Sequence, residues 1–272
     1  MQIFLGRLGE KLQAAKPAPG TRTAHRWMVA LLAVGSVFSA VSPANAAART
    51  ASVTGNWSST ATWGGLSVPV AGDTVTINTG ITVTVDISNA ACTSVAMGSA
   101  SGVATLTFAT TGSPQLTVSG AVTVGNSGNA NRRGTITFTS GSTLLCGSLS
   151  LGAIALQASV IDMTAGGMLQ VGGAITVFSG TTFTPGTGTV VLTANNTLPA
   201  TIFTSFNNLT INGGTTTMGV GLTINGDLTI TTGTLATSNL GLTLNGNFSN
   251  SGTFTAGSSA ITIGGTATQT IA

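Results

Sequence analysis

The chain has 272 residues, of which only eight are Lys or Arg and five are Asp or Glu. Charged residues make up 5% of the chain, whereas a soluble domain has about 25%, which argues against a solvated, disordered coil. The mean hydropathy of +0.47 is spread over single apolar residues among Thr, Ser, Asn and 38 Gly. This pattern excludes a bundle of membrane helices and indicates an all-β fold.

The first predicted element is a secretory signal peptide at residues 1–46. Basic residues between positions 1 and 26 precede an apolar run, Trp27 to Val41, and Ala44-Asn45-Ala46 supplies the small residues of a cleavage site. The apolar run is too short for a stable membrane span, and an uncleaved N-terminal anchor is the alternative. Cleavage after Ala46 predicts a secreted or cell-surface protein.

Removal of the signal peptide reverses the charge balance. The remaining chain has three arginines, Arg49, Arg132 and Arg133, and no lysine. It has four aspartates, so its net charge is −1: Asp73, Asp86, Asp162 and Asp227. Because nucleic-acid binding requires several Lys or Arg side chains to neutralise phosphates, no nucleic-acid partner is predicted.

Residues 47–86 are predicted to form an N-terminal cap and the first strands. Trp57 and Trp63 precede two alternating segments, Thr74 to Ile77 and Ile81 to Val85. Large aromatic side chains on a loop are suited to cover the open end of a stacked β structure. The alternative is that the two rings form an exposed platform for sugars.

This segment resembles the opening of the extracellular domain family named for its eight glycines, and the similar start of many bacterial secreted β-helix proteins. The motif is W-S…A-T-W-x-G…P…G-D-x-V-x-I…G…V-x-V-D, carried by Trp57, Ser58, Ala61, Thr62, Trp63, Gly65, Pro69, Gly72, Asp73, Val75, Ile77, Gly80, Val83, Val85 and Asp86. The later FNNLTINGG, Phe206 to Gly214, is similar to the repeats of large bacterial surface proteins. The resemblance implies an extracellular location, a parallel β-helix and a role in adhesion, matrix or glycan contact, without catalytic residues to transfer.

Residues 87–272 are predicted to be parallel β-helix repeats. The pattern apolar-x-apolar-x-Gly-x-apolar-x-apolar recurs with central glycines at Gly120, Gly147, Gly173, Gly226 and Gly246. A degenerate copy around Val190 to Ala194 lies between the third and fourth of these. The alternation has the period of a β-strand, and a short strand-turn unit buries its apolar face only by stacking on copies of itself.

We therefore predict an all-β, right-handed parallel β-helix (β-solenoid) of roughly eight rungs, with glycines at the bends between faces. The segment Thr182 to Leu192 returns as Thr253 to Ile263, which predicts a larger unit of three rungs. A β-sandwich is the main alternative, because its short strands and turns also produce alternating segments. Disordered low-complexity sequence is the other alternative, and the regular alternation opposes it.

Two further features of the repeat region lead to expectations about contacts. Cys92 and Cys146 lie about two rungs apart, which leaves open whether they form a disulfide. The last residues, ITIGGTATQTIA, keep the apolar alternation and predict an open final rung that supports end-to-end self-association. The alternative is that the chain is a fragment of a longer surface protein.

No catalytic, cofactor-binding or metal-binding residue is predicted, because the chain after Ala46 has no His, Lys, Glu or Tyr. The predicted function is a secreted, non-enzymatic, adhesin-like protein that contacts surface glycans or other matrix proteins. The alternative is a glycan-active hydrolase or lyase that uses two Asp carboxylates. Outward Thr pairs such as Thr82/Thr84 and Thr135/Thr137 resemble the ladder of several ice-binding proteins, but the varying rung lengths predict that such rows do not register.

Overall fold

A computed structural model describes residues 46–126, 128–155 and 157–272. They form an all-β solenoid of about nine turns in which the strands pair in parallel, which confirms the predicted parallel β-helix. The predicted signal peptide lies outside the described residues, apart from Ala46. In the described part of the chain one 3₁₀ turn, Thr60–Trp63, is present, and no helix there is long and apolar enough to cross a membrane.

Short strands alternate with tight corners along the chain. The strands of the first part are β1 (Ala48–Ala51), β2 (Gly55–Asn56), β3 (Thr74–Ile77), β4 (Thr82–Val85), β5 (Ala90–Cys92), β6 (Ser94–Met97), β7 (Gly102–Phe108), β8 (Gln115–Val124), β9 (Arg132–Thr137), β10 (Thr143–Leu151), β11 (Val160–Asp162), β12 (Met168–Val171), β13 (Ile175–Val177) and β14 (Thr182–Thr184). The strands of the second part are β15 (Thr189–Leu192), β16 (Asn196–Thr197), β17 (Ser205–Phe206), β18 (Asn208–Thr217), β19 (Leu222–Ile224), β20 (Leu228–Ala236), β21 (Leu242–Leu244), β22 (Phe248–Asn250), β23 (Thr253–Thr255) and β24 (Ile261–Ile263).

The strands form three faces of the solenoid, and every turn after the first contributes to all three; between β2 and β3 the first turn has the 3₁₀ turn and a loop in place of a third-face strand. The first face contains β1, β3, β6, the second halves of β8 and β10, β13, β16, the second halves of β18 and β20, and β23. The second face contains β2, β4, β7, β9, β11 and β14, followed by β17, β19, β21 and β24. The third face contains β5, the first halves of β8 and β10, β12, β15, the first halves of β18 and β20, and β22. The four long strands therefore bend around the corner between the third and first faces.

The period-two alternation decides which side chains form the core. On the third face one inward column consists of aliphatic residues that pair in register from turn to turn: Leu116, Leu144, Leu169, Val190 and Leu209. Each is at most 3% exposed, and burial of one such side chain contributes about 1.5 to 3 kcal/mol. The alternate residues of the same strands face outward, so one continuous core runs along the solenoid.

The turns become shorter along the chain. Gln115 pairs with Thr143 in the first part, whereas Leu228 pairs with Phe248 in the second. The longer early turns place their extra residues in corner loops such as residues 109–114, so the strands themselves stay stacked. The prediction of roughly eight rungs counted only the residues after the N-terminal segment. Because β1 to β4 of that segment stack on the same faces, the solenoid has about nine turns.

The predicted repeats form strands, but their corners are not equivalent. Gly147 lies at the corner from the third face to the first, whereas Gly226 lies at the corner from the second face to the third. The long repeat likewise begins on the second face in β14 and on the first face in β23, so the prediction of a three-rung unit is wrong. Every face requires the same alternation, and one sequence pattern therefore serves any of the three.

The two tryptophans of the N-terminal segment belong to the core. Trp57 and Trp63 are each 1% exposed, and their rings meet edge to face with centroids 5.1 Å apart. The indole Nε1 of Trp63 donates a hydrogen bond to the carbonyl oxygen of Trp57 at 2.8 Å. Because both rings are buried, the alternative of an exposed platform for sugars is wrong.

The two cysteines are not bridged. Cys92 pairs with Val118, and Val118 pairs with Cys146, in one inward column of the third face. Two strand spacings separate their α-carbons by about 10 Å, beyond the limit of about 7 Å for a disulfide. Both are therefore free, buried thiols.

Candidate binding surfaces

Each of the four aspartates accepts hydrogen bonds from groups in its own surroundings. Asp86 accepts from the backbone N–H and the hydroxyl of Ser58, and Asp162 accepts from the same two groups of Thr164. Asp227 is exposed and accepts from the backbone and side-chain N–H groups of Asn247. Among the described residues, no group of three His, Cys, Asp or Glu side chains is arranged to hold a metal ion.

Asp73 is the most buried of the four carboxylates, at 1% exposure. It accepts hydrogen bonds from the backbone N–H of Ala47 at 2.9 Å, from Nε of Arg49 at 3.1 Å and from the backbone N–H of Val70 at 3.2 Å. Burial alone would raise the pKa of this carboxyl, but the three donors and the charge of Arg49 together hold the pKa below its usual range. Asp73 therefore connects β1 to the turn before β3 through these hydrogen bonds.

The cysteines are not poised as nucleophiles. Burial raises the pKa of both thiols to about 12, and for Cys92 the negative charge of Asp73 adds to the effect. A thiol with that pKa stays protonated at neutral pH, and the thiolate is the reactive form.

The outer side of the second face carries two parallel rows of threonine. One row contains Thr82, Thr105, Thr135, Val160 and Thr182, and the other contains Thr84, Thr107, Thr137, Asp162 and Thr184. We call these ten positions on β4, β7, β9, β11 and β14 the threonine face. Strands about 4.8 Å apart and alternate residues about 6.6 Å apart place the hydroxyls on a regular grid.

The expectation that these rows do not register is wrong. Thr82 pairs directly with Thr105, and Thr105 with Thr135, although the two turns differ in length. The extra residues lie in the corners, and parallel backbone hydrogen bonding fixes the strands in register. Variation in turn length therefore does not disturb the grid.

A second feature is a break in the hydrogen bonding between two consecutive turns, which we call the seam. On the first face β13 pairs with β10 and β16 pairs with β18, but β13 and β16 do not pair with each other. On the second face the same gap separates β14 from β17. On the third face β12, β15 and β18 pair without interruption, so the two turns are joined there and open on the other two faces.

Aromatic side chains fill the interior of the seam. Phe203 lies 4.8 Å from Phe183 and 5.7 Å from Phe206, measured between ring centroids. Phe183 and Phe206 are 5.6 Å apart. These bulky rings occupy the space between the two turns where the strands do not meet, and they exclude water from the core.

On the first face the seam opens as a groove with a volume of about 510 Å³. The lining residues of this seam groove come from both sides of the gap: Ala174, Ile175, Asn195, Asn196, Thr197, Thr215 and Thr217. None of these seven side chains carries a charge. The groove is therefore a neutral cleft of mixed polar and apolar lining between two strand edges.

Two buried polar groups lie beside this groove. Asn196 pairs in register with Thr216; their side chains are 4% and 0% exposed. Asn196 Nδ2 donates to the carbonyl oxygen of Ala194 at 3.0 Å, but Asn196 Oδ1 and Thr216 Oγ1 have no hydrogen-bond partner among the residues that the structure describes. Arg49 begins this inward column, and the other positions from Val75 onward are apolar: Val75, Val95, Val122, Leu149, Ile175, Leu235 and Phe254.

The sequence analysis did not predict this pair, although the degenerate repeat has a polar residue where the pattern requires an apolar one. In that copy Val190, Leu192 and Leu198 keep three apolar slots, while Ala194 stands at the glycine and Asn196 at the remaining apolar slot. A polar residue in an inward slot marks the departure from the pattern.

Neither a family model, nor a curated protein, nor a solved structure matches this chain.

Proposed function

We propose that this chain is a secreted, non-enzymatic, adhesin-like β-solenoid that contacts glycans or similar hydroxyl-rich surfaces at the bacterial cell surface or in its matrix. Three features support the proposal: the signal-peptide pattern, the absence of His, Lys, Glu and Tyr after Ala46, and the threonine face. The partner class includes surface glycans and other matrix proteins.

The threonine face is the observation that carries the proposal. Eight of its ten positions are threonine, and one, Asp162, is charged. Each hydroxyl both donates and accepts hydrogen bonds, so the grid complements a flat, repeating array of hydroxyls on a polymer surface. The parallel strands hold the grid in place before binding, which reduces the entropy lost on association.

The test uses residues 47–272 on an array of polysaccharides and on intact cell-wall material. Thr107→Lys, on the second of the five strands of the face, is expected to weaken binding at least tenfold, because a long ammonium side chain disrupts the flat grid. Thr123→Lys places the same side chain outward on the first face and serves as the control. Binding that survives Thr107→Lys would rule out the threonine face as the contact surface.

The same panel tests for enzymatic turnover. We expect no release of reducing ends or unsaturated sugars by the wild-type chain. Turnover that is abolished by Asp162→Asn or Asp227→Asn would overturn the non-enzymatic proposal in favour of the glycan-active alternative.

Export is tested separately by mass spectrometry of the protein recovered outside the cells. The expected N-terminus is Ala47, after cleavage at Ala44-Asn45-Ala46. Recovery of a chain that retains residues 1–46 would contradict the proposed signal peptide.

Ice binding is a second candidate, because the threonine rows register after all. An ice surface is also a flat, repeating array of hydrogen-bonding groups, and the registered grid suits it. Inhibition of ice recrystallisation by the wild-type chain and by Thr123→Lys, but not by Thr107→Lys, would support this candidate. Equal inhibition of ice recrystallisation by the wild type and both variants would show that the threonine face does not bind ice.

A further inference from the structure

The seam groove presents two strand edges that face each other without pairing. β13 pairs on one side with β10, and β16 pairs on one side with β18, so the opposite edge of each strand borders the gap. All residues of this stretch are described, and no backbone hydrogen bond joins the two strands there. Backbone N–H and C=O groups at such an edge are available to a bound molecule.

The buried polar pair adds a requirement that the other described residues do not meet. A buried donor or acceptor without a partner destabilises the fold, because its hydrogen bonds to water are lost and not replaced. Two such atoms, Asn196 Oδ1 and Thr216 Oγ1, occur here at neighbouring positions. Asn196 also lines the groove. A molecule that brings hydrogen-bond donors into the groove would satisfy Asn196 Oδ1 once the Asn196 side chain turns toward it, and would compensate for this destabilisation.

We propose that the seam groove is a binding site for a neutral sugar residue of an oligosaccharide. The volume of about 510 Å³ lies in the usual range for small-molecule sites. Asn and Thr groups on one side match sugar hydroxyls, and the apolar surfaces of Ala174 and Ile175 match the C–H face of a sugar ring. The lining has no charged side chain to pair with a sulfated or carboxylated sugar.

An added peptide strand fits the groove less well. β13 has three residues and β16 has two, so each edge offers few backbone hydrogen bonds, whereas strands in proteins usually have about five or six residues. The choice of a glycan as ligand rests on the proposed function, but the location of the site rests on the seam alone.

The experiment starts with the same wild-type chain, residues 47–272, on an array of neutral and anionic oligosaccharides and unrelated peptides. The neutral oligosaccharide that binds best is then titrated by calorimetry against three variants. Ala174→Trp places a large ring in the mouth of the groove and is expected to weaken binding at least tenfold. Ala121→Trp is the matched control, since Ala121 is an exposed residue at the same type of outward position on a fully paired part of the first face.

The double variant Asn196→Leu with Thr216→Val tests the polar pair. It replaces two unsatisfied groups with apolar residues of the kind found elsewhere in the column, so its melting temperature is expected to equal or exceed that of the wild type. We expect it to lose at least tenfold in affinity while its circular dichroism stays unchanged. If this variant does not fold, the comparison of Ala174→Trp with Ala121→Trp decides whether the oligosaccharide binds in the seam groove.

The outcomes separate the seam groove from the threonine face. Binding that is lost in Thr107→Lys but unchanged in Ala174→Trp and in the double variant would overturn the seam site and leave the proposed function standing. Binding that is lost in the seam variants and kept in Thr107→Lys would support the seam site and contradict the threonine face. Binding of anionic sugars or peptides only, or of no probe, would overturn the seam proposal.

Discussion

Asp73 illustrates how single polar residues hold this weakly charged chain together. Its depressed pKa means that the folded state favours the carboxylate, so the stabilisation is present above the unfolded pKa of about 3.9 and is lost as the pH falls through the folded pKa. We expect Asp73→Asn to lower the free energy of unfolding at pH 7 by about 2 to 3 kcal/mol. The difference from the wild type should shrink below about pH 4.

Urea denaturation between pH 2.5 and pH 7 measures this effect. Asp227→Asn removes a carboxylate that is exposed, and its effect should stay within about 0.5 kcal/mol at every pH. If Asp73→Asn lowers the free energy of unfolding by the same amount at every pH, the carboxylate charge is not the stabilising feature.

The corner glycines determine how closely consecutive strands stack. A Cβ added at Gly147 would lie 2.5 Å from the carbonyl oxygen of Ser119 on the preceding turn. We expect Gly147→Ala to destabilise the fold by about 1 to 3 kcal/mol, because backbone of a neighbouring turn must move. Gly241→Ala is the control: its nearest atom would be 3.9 Å away, and thermal melting should show a change within about 0.5 kcal/mol. Equal effects of the two substitutions would contradict the packing argument.

At the scale of the whole molecule, the seam divides the solenoid. A stacked repeat protein is stabilised by contacts between neighbouring turns, and these are weakest where two of three faces lack hydrogen bonds. Trp57 and Trp63 are the only tryptophans after residue 46, so their fluorescence reports the N-terminal part, while circular dichroism reports all turns. We expect the two signals to give different midpoints in urea. Coincident transitions would show that the seam does not limit cooperativity.

Phe203 provides a variant for the same experiment. Phe203→Ala removes a fully buried ring from the seam and should lower stability by about 3 to 5 kcal/mol, with the two midpoints moving further apart. Phe138→Ala removes a buried ring that stacks on Phe108 in the first part of the chain. It should shift mainly the fluorescence transition.

The final described turn leads to a prediction about assembly. β23 and β24 each pair on one side only, and Ile263 is 50% exposed. Because unpaired strand edges and apolar side chains associate readily, we expect residues 47–272 to self-associate with increasing concentration in light scattering. Ile263→Asp should weaken the association, and Thr262→Asp on the same strand should do so less. A monomer at all concentrations would contradict the predicted end-to-end contact.

The alternation of apolar residues was sufficient to predict the parallel β-helix, since a strand-length unit with one apolar face must stack on its copies. It also predicted inward columns such as Leu116, Leu144 and Leu169, because side-chain direction depends only on the period of the strand. It did not determine which face a given repeat occupies, since Gly147 and Gly226 stand in the same motif at different corners. The register of the threonine rows depends on backbone pairing between turns, which corner loops of any length permit. The sequence shows Asn196 as a polar residue in an apolar slot, but the seam groove depends on the tertiary structure: Asn196 and Thr216 lie side by side only because strands 20 residues apart in sequence pair.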